Sequence, residues 1–452
     1  MKNLVLISLF SLISLPNMLK ADNETPSAKC QVYKTCSKQG FVEIFSVWDL
    51  WNSGSLNISH DEWVTKQLEK HFKVFACDEV AAACESDRAP NTQHFLEKYT
   101  TLPEVEWERN TPKESGLNSI ALEMAISEAS QISHLRSLLI VTNGKLVVEK
   151  YCSRKNDPRP QHLQSVTKSI TSLLIGIAID KGFIKSENEV IKPYFPEYFS
   201  KPHDERKEKI TIQQLLTMTS RLNFVDNPTY TSYKDINSWW DPGRWEEYWY
   251  SDNYLDRPLE DDLVESIDDQ VAIYSTPSCN LLTTILRKST NMTTKEFADQ
   301  YLFGPLGIKN YAWIHDSANN YIGGHTLFLR PRALARIGQL ILDGGKFEDQ
   351  EIISQDWLKK SFSVSVPKWV NMVDVPQKVD YGYLWWLGEY KNYKYQFAWG
   401  HGGQFLFLIP DANTLIVTTA YPDPDGTTHW EKSQRIIKNI MHNVIKALPD
   451  KN

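Results

Sequence analysis

Ser165-Val166-Thr167-Lys168-Ser169-Ile170-Thr171-Ser172-Leu173-Leu174-Ile175-Gly176-Ile177-Ala178-Ile179 is the stretch on which the reading of this chain turns. After Ser169 it is largely apolar, and it stops at Asp180-Lys181-Gly182, so it reads as a buried helix with a glycine stop. Positions three apart share a helix face, which lets the Ser165 hydroxyl meet the Lys168 amine. A first helical turn also points free N–H groups and the positive end of the helix dipole at whatever binds there. An ammonium cannot act as a base, but burial near cationic or hydrogen-bonding groups favours the neutral amine. A neutral lysine can then take the serine proton. The four-residue pattern alone is common. Ser365-Val366-Pro367-Lys368 repeats it, yet Pro367 argues against a helix interior and no apolar helix follows. Context has to separate the two.

At 452 residues the chain can bury a large core and form more than one domain. Its 41% hydrophobic and 23% charged content is that of a soluble globular protein. A net charge of −7 gives no reason to expect nucleic acid as a partner. The 15 tryptophans point to a large core and an aromatic-lined site.

Residues 1–21 read as a signal peptide. Lys2 supplies a short basic start, Leu4 to Leu15 is an uncharged apolar run, and Pro16 and Asn17 end it before Leu19-Lys20-Ala21. The run is too short to span a bilayer, and no other segment is apolar for long enough, so no stable membrane anchor is expected. Removal of residues 1–21 takes away Lys2 and Lys20 and leaves a charge of −9. A periplasmic or secreted location follows as the expectation. Export gives meaning to the six cysteines. Cys30, Cys36, Cys77 and Cys84 cluster early, and Cys152 and Cys279 lie far apart. Four cysteines allow three pairings, of which loops Cys30–Cys36 and Cys77–Cys84 are the simplest. A zinc site is the competing reading, but the spacings are not CxxC and no histidine pattern accompanies them. Asn23, Asn57 and Asn291 begin glycosylation sequons, relevant in a eukaryotic source.

Residues 22–105 form a Cys-rich helical segment. Phe41–Trp51 and Glu62–Phe75 read as helices around Asn52-Ser53-Gly54-Ser55-Leu56-Asn57, but an EF-hand register would put His60 rather than Glu at loop position 12. Residues 106–452 form the second unit. A helix is expected over Leu117–Ser130, followed by the strands Leu138–Val141 and Leu146–Glu149 around Asn143-Gly144, a strong hairpin signal. Another helix spans 210–220, and residues 223–270 are irregular, with Trp239, Trp240, Trp245 and Trp249 crowded into a candidate lid. Strands return at Tyr381–Leu387, Tyr395–Trp399, Phe405–Ile409 and Leu415–Thr419, and a helix Trp430–Leu448 closes the chain. This order implies an α+β fold, an antiparallel sheet flanked by helices.

With these pieces, residues 115–448 resemble the serine beta-lactamase and penicillin-binding protein superfamily. The likeness is greatest to its class C-type branch of esterases, D-amino peptidases and 6-aminohexanoate-dimer hydrolases. The resemblance implies a beta-lactamase/transpeptidase-like sheet with an all-helical subdomain and no metal or organic cofactor. Three motifs carry it. Ser165-Val166-Thr167-Lys168 is the first, and Tyr274-Ser275-Thr276 is similar to the family's Tyr-x-Asn. His401-Gly402-Gly403 matches the His-x-Gly that replaces Lys-Thr-Gly in esterase-like members. The likeness implies that Ser165 attacks a carbonyl, that Lys168 and Tyr274 share the proton work, and that His401, on an edge strand, binds substrate or tunes Tyr274. Gly402, Gly403 and Thr276 would border the substrate, and the backbone N–H groups of Ser165 and Gln404 would form the oxyanion hole. His162 reads as a capping or packing residue, and Arg332 as a structural ion-pair partner.

Two departures shape the expected substrate. Thr276 stands where beta-lactamases carry an asparagine, and a threonine cannot span the same two partners. His401 replaces a lysine that attracts carboxylates. Both favour an ester, a small amide or a short peptide of low negative charge as partner, cleaved by an exported serine hydrolase. The competing readings are a D-amino-acid peptidase or weak beta-lactamase on the same site, and a non-catalytic penicillin-binding-like protein.

Overall fold

The Asn143-Gly144 hairpin begins the sheet in the computed structural model, which describes residues 105–152, 160–222, 272–313, 315, 320–372, 377–420 and 429–450. Strands β1 (Leu135–Thr142) and β2 (Lys145–Tyr151) pair antiparallel, and Asn143 and Gly144 take φ of 52° and 73°. Two successive left-handed residues give the turn whose twist matches that of the strands. Short strands β3 (Gln161–His162), β4 (Tyr311–Trp313) and β5 (Leu327–Leu329) form a separate sheet in the order β3-β5-β4. A ribbon of β6 (Lys346–Phe347) and β7 (Gln350–Glu351) follows. The remaining strands are β8 (Val366–Met372), β9 (Gln377–Tyr381), β10 (Trp386–Tyr390), β11 (Tyr393–Gly400), β12 (Gln404–Ile409) and β13 (Thr414–Ala420). Among the described residues the main sheet has eight strands, ordered β2-β1-β13-β12-β11-β10-β9-β8, antiparallel throughout.

Burial is unbroken along β1, β12 and β13, as a sheet covered on both faces requires. The helices used below are α1 (Ser119–Gln131), α2 (Val166–Asp180), α3 (Ile212–Leu216), α4 (Thr276–Thr290), α5 (Pro331–Leu342), α6 (His429–Ile436) and α7 (His442–Ala447). Helix α5 lies on the sheet, and its closest approach is at Gly338, where a Cβ would sit 2.8 Å from Leu406 Cδ1 and 3.1 Å from Leu415 Cδ2. Helices α1 and α7 pack on each other, and Asn118, the cap of α1, donates its N–H to Ala447 O at 2.8 Å. Helix α2 packs against α4 and the β11–β12 pair, so it is buried from Val166 through Ala178. Each buried leucine or isoleucine on it contributes about 1.5–3 kcal/mol.

Two expected elements differ. Tyr381–Leu387 is not one strand. β9 ends at Tyr381, and a turn with Leu384 at φ 61° leads into β10. That turn is tied inward, since Leu384 N–H donates to Leu216 O at 2.9 Å and Leu384 O accepts from Ser169 Oγ at 2.6 Å. An unbroken apolar and aromatic run passes through the break, which hides it from a periodicity reading. The helix expected over 210–220 is shorter, Ile212–Leu216, opened by a capping box between Thr211 and Gln214. In the second Ser-x-x-Lys match Ser365 precedes β8, its N–H bonding Tyr381 O at 2.8 Å, and Lys368 lies within the strand. The expected signal peptide, the four early cysteines, both early helices, the sequons at Asn23 and Asn57 and the tryptophan-rich lid all lie outside the described residues. Cys152 and Cys279 are thiols. No described helix is long and apolar enough to cross a membrane.

Candidate active site

Ser165 is the N-cap of α2, with φ −66° and ψ −6°. The chain enters from β3 through Leu163 and Gln164, and Gln164 adopts a left-handed φ of 50°. Thr167 holds this turn from the helix side, its Oγ1 donating to Gln164 O at 2.7 Å and accepting from Leu327 N–H at 3.3 Å. Two further buried hydroxyls of α2 anchor it as well. Ser169 bonds Leu384 O, and Thr171 bonds Gly323 O at 2.8 Å. The nucleophile helix is therefore pinned on several sides before any ligand arrives.

Lys168 is 1% exposed, and its Nζ lies 2.9 Å from Ser165 Oγ, 2.7 Å from Thr276 Oγ1 and 2.8 Å from Gly324 O. A carbonyl can only accept, and a hydroxyl can accept or donate. Lys168 Nζ donates to the Gly324 carbonyl and to the two hydroxyl oxygens; in its neutral form it would keep two of these donations and turn its lone pair to the Ser165 hydroxyl. The arrangement suits proton removal from serine.

Tyr274 and Thr276 reach this point from the start of α4. Thr276 is its first residue, and Ser275 is the cap, its side chain accepting from Ser278 N–H. Tyr274 lies in the coil before the helix. Lys168 Nζ stands 4.8 Å from the centroid of the Tyr274 ring, and that ring stacks on Trp386 with centroids 6.0 Å apart. The ring wall of the site thus comes from the coil before α4 and from β10.

His401 is placed differently from the expectation. It lies in the tight turn between β11 and β12, both interior strands of the sheet, not on an edge strand. Gly402 and Gly403 have φ of 80° and 108°, and a Cβ on Gly403 would collide with Ile436 of α6. Only glycine fits both requirements at 403. Gln404 opens β12, and its side chain is locked to Ala420, with Nε2 donating to Ala420 O at 2.7 Å and Oε1 accepting from Ala420 N–H at 2.9 Å. Arg332 makes a two-pronged ion pair with Glu149, at 2.6 Å and 2.9 Å, and acts in the frame rather than the site.

Several residues at the site carried no signal that was read from the sequence. Gly323 and Gly324 bring a loop against both α2 and α4. A Cβ on Gly323 would hit Cys279 O, one on Gly324 would hit Thr276 Cγ2, and Gly324 N–H bonds Asn280 Oδ1 at 3.1 Å. Gly400 plays the same part for the sheet, because a Cβ there would collide with Leu163 O beside the nucleophile turn. The doublet Gly323-Gly324 was the available clue, since adjacent glycines mark close backbone approach. His162 is buried, stacks on Phe328 at 4.6 Å, and is pushed down to about 3 by burial and then by the nearby His401. His325 is held well below its ordinary value by burial, then by His162 and Lys168.

A family model described as Beta-lactamase matches residues 136–432. The chain belongs to the beta-lactamase family. It is a serine hydrolase of that family, and its fold is the family's mixed antiparallel sheet and helices. A curated relative, the 6-aminohexanoate-dimer hydrolase of Paenarthrobacter ureafaciens, is 24% identical over 317 residues, which cover 68% of this chain and 78% of the relative. A Bacillus anthracis structure provisionally named a 6-aminohexanoate-dimer hydrolase superposes with a TM-score of 0.56 at 21% identity, covering 72% of this chain and 83% of its own. A D-stereospecific amidohydrolase from Streptomyces sp. gives a TM-score of 0.53 at 14% identity, covering 71% and 98%. Within this beta-lactamase-family frame, Ser165, Thr276 and the Tyr274 ring all lie against Lys168, and the sheet approaches the nucleophile turn at Gly400.

Proposed function

We propose that this beta-lactamase-family chain cleaves an ester or small amide through an acyl-serine intermediate on Ser165. The observation that carries the reading is the Lys168 amine, buried and 2.9 Å from Ser165 Oγ, with its other bonds directed to Thr276 and Gly324. Lys168 takes the Ser165 proton as Oγ attacks the carbonyl carbon. The negative oxygen of the tetrahedral intermediate is received by the backbone N–H groups of Ser165 and Gln404, each such donor being worth about 2.7–4 kcal/mol. Collapse breaks the bond to the leaving amine or alkoxide, which is protonated from Lys168 or the Tyr274 phenol, and water then releases the acyl group. His401, Gly402 and Gly403 border the acyl group from the β11–β12 turn.

A threonine in place of the asparagine, and a histidine in place of the lysine, support a substrate of low negative charge. The amidohydrolase and dimer-hydrolase relatives are consistent with amide cleavage. The proposal also takes the chain as exported, on the Lys2 and Leu4–Leu15 pattern, with residues 106–452 as the hydrolase unit. Steady-state assays on p-nitrophenyl esters, short linear amides and a chromogenic beta-lactam test the reading. Turnover of esters or amides well above that of the beta-lactam, abolished in Ser165→Ala, is the expected result. Turnover unchanged in Ser165→Ala would refute it.

A further inference from the structure

We infer that His162 is a positioning residue for Ser165, one that joins the nucleophile turn to the loop carrying the carbonyl acceptor of Lys168. The inference rests on the acyl-Ser165 reading above. His162 ends β3, three residues before Ser165, and its ring lies flat on Phe328 of β5. Nε2 accepts the backbone N–H of Thr326 at 3.2 Å. A neutral ring that accepts at Nε2 carries its proton on Nδ1. That atom lies 3.0 Å from the Gln164 side-chain Nε2, and a half-turn of the amide brings Oε1 there to accept its proton.

Both residues held by the imidazole are in unusual backbone conformations. Gln164 has φ 50° and Thr326 has φ 73°. A left-handed φ is costly for a β-branched residue such as Thr326, about 1–3 kcal/mol, and persists only where the surroundings over-determine it. Gln164 directly precedes Ser165. Thr326 follows Gly324 by two residues, and Gly324 O is one of the Lys168 partners. One ring therefore bridges the left-handed residue that aims the serine and the left-handed residue beside the loop that aims the lysine. The ring faces His325 at 6.4 Å and the field of His401, and Lys168 lies beyond His325. Burial opposes a positive charge on this ring, and the neutral ring needed for the Thr326 bond is the form this setting favours.

His162→Phe keeps the stack on Phe328 and removes both polar atoms, whereas His162→Gln restores an acceptor. Labelling by a fluorophosphonate separates reversible affinity, KI, from the limiting rate, kinact. For folded His162→Phe we expect kinact to fall about 10- to 100-fold, because small misplacement of a reacting group has costs of that size, with KI within about threefold. His162→Gln should recover most of the rate. A purely structural role would reduce the folded fraction and leave kinact of the folded enzyme alone. Wild-type kinact in folded His162→Phe, or an equal loss in His162→Gln, would overturn the inference. If His162→Phe does not fold, Gln164→Ala decides from the other end of the contact: slowed labelling supports the inference, and wild-type labelling overturns it. A wild-type chain that takes no adduct would remove the acyl-Ser165 reading and this inference together, while wild-type labelling with no effect of His162 removes this one alone.

Discussion

Lys168 Nζ and Thr276 Oγ1, 108 positions apart in sequence, lie 2.7 Å apart and join α2 to α4 inside the site. The family's asparagine is absent here, yet its contact with the lysine survives through a hydroxyl. The lysine is thereby oriented by three oxygens from three segments, Ser165, Thr276 and Gly324.

Thr276→Val keeps the shape and removes that oxygen. Turnover should fall roughly tenfold, about the value of one hydrogen bond to the amine, while Thr276→Ser stays within about threefold of wild type. The ratio of kcat values between the two variants is the measurement. Equal rates would show that the Thr276 hydroxyl does not orient Lys168.

Lys168→Ala and Tyr274→Phe should each reduce kcat by roughly 10² or more if the two groups carry the proton. Rates near wild type in either variant would remove that residue from the mechanism. Ser365→Ala, at an exposed residue just before β8, should leave kcat unchanged.

Gly400→Ala tests the contact of sheet with nucleophile turn. Its Cβ would meet Leu163 O and would lie 3.0 Å from Gln164 Cβ. Overpacking of this kind costs about 1–3 kcal/mol. The urea midpoint should drop and the rate of Ser165 labelling should drop with it. A variant as stable and as reactive as wild type would show that the strand can retreat without moving the serine.

Buried neutral histidines make stability depend on pH with a defined sign. His162 is lowered from 6.5 to about 3 and His442 to about 4, each by burial first. A histidine depressed in the folded state is protonated first in the unfolded chain. Its contribution is fully present above about 6.5 and is lost as pH falls toward the folded value. For His162 alone the loss between pH 7 and pH 5 is about 2 kcal/mol. Urea unfolding at the two pH values should show a decrease of that order, and His162→Gln should reduce it. A chain equally stable at pH 5 and pH 7 would contradict neutral burial.

The sequence made the site legible in the places where chemistry is concentrated in one short segment. Ser165 and Lys168 share a helix turn, so three residues of separation contain their geometry. Asn143-Gly144 determined a hairpin for the same local reason. What escaped is contact between distant backbones. Nothing at Gly400 announces Leu163, and nothing at Gly323-Gly324 names α4 as the surface they approach. His162 read as a packing residue because its partners, Thr326 and Phe328, are more than 160 positions away. His401 was expected on an edge strand because strand order cannot be read from strand sequence; it lies in a turn of the sheet interior.

The most direct test of the central claim is the intact mass of the protein after exposure to a fluorophosphonate, with the adduct located by peptide digestion. A single adduct on Ser165 that is lost in Lys168→Ala is the result predicted by the buried serine–lysine pair. An adduct that persists at the same rate in Lys168→Ala, or a folded wild-type protein that takes none, would contradict it.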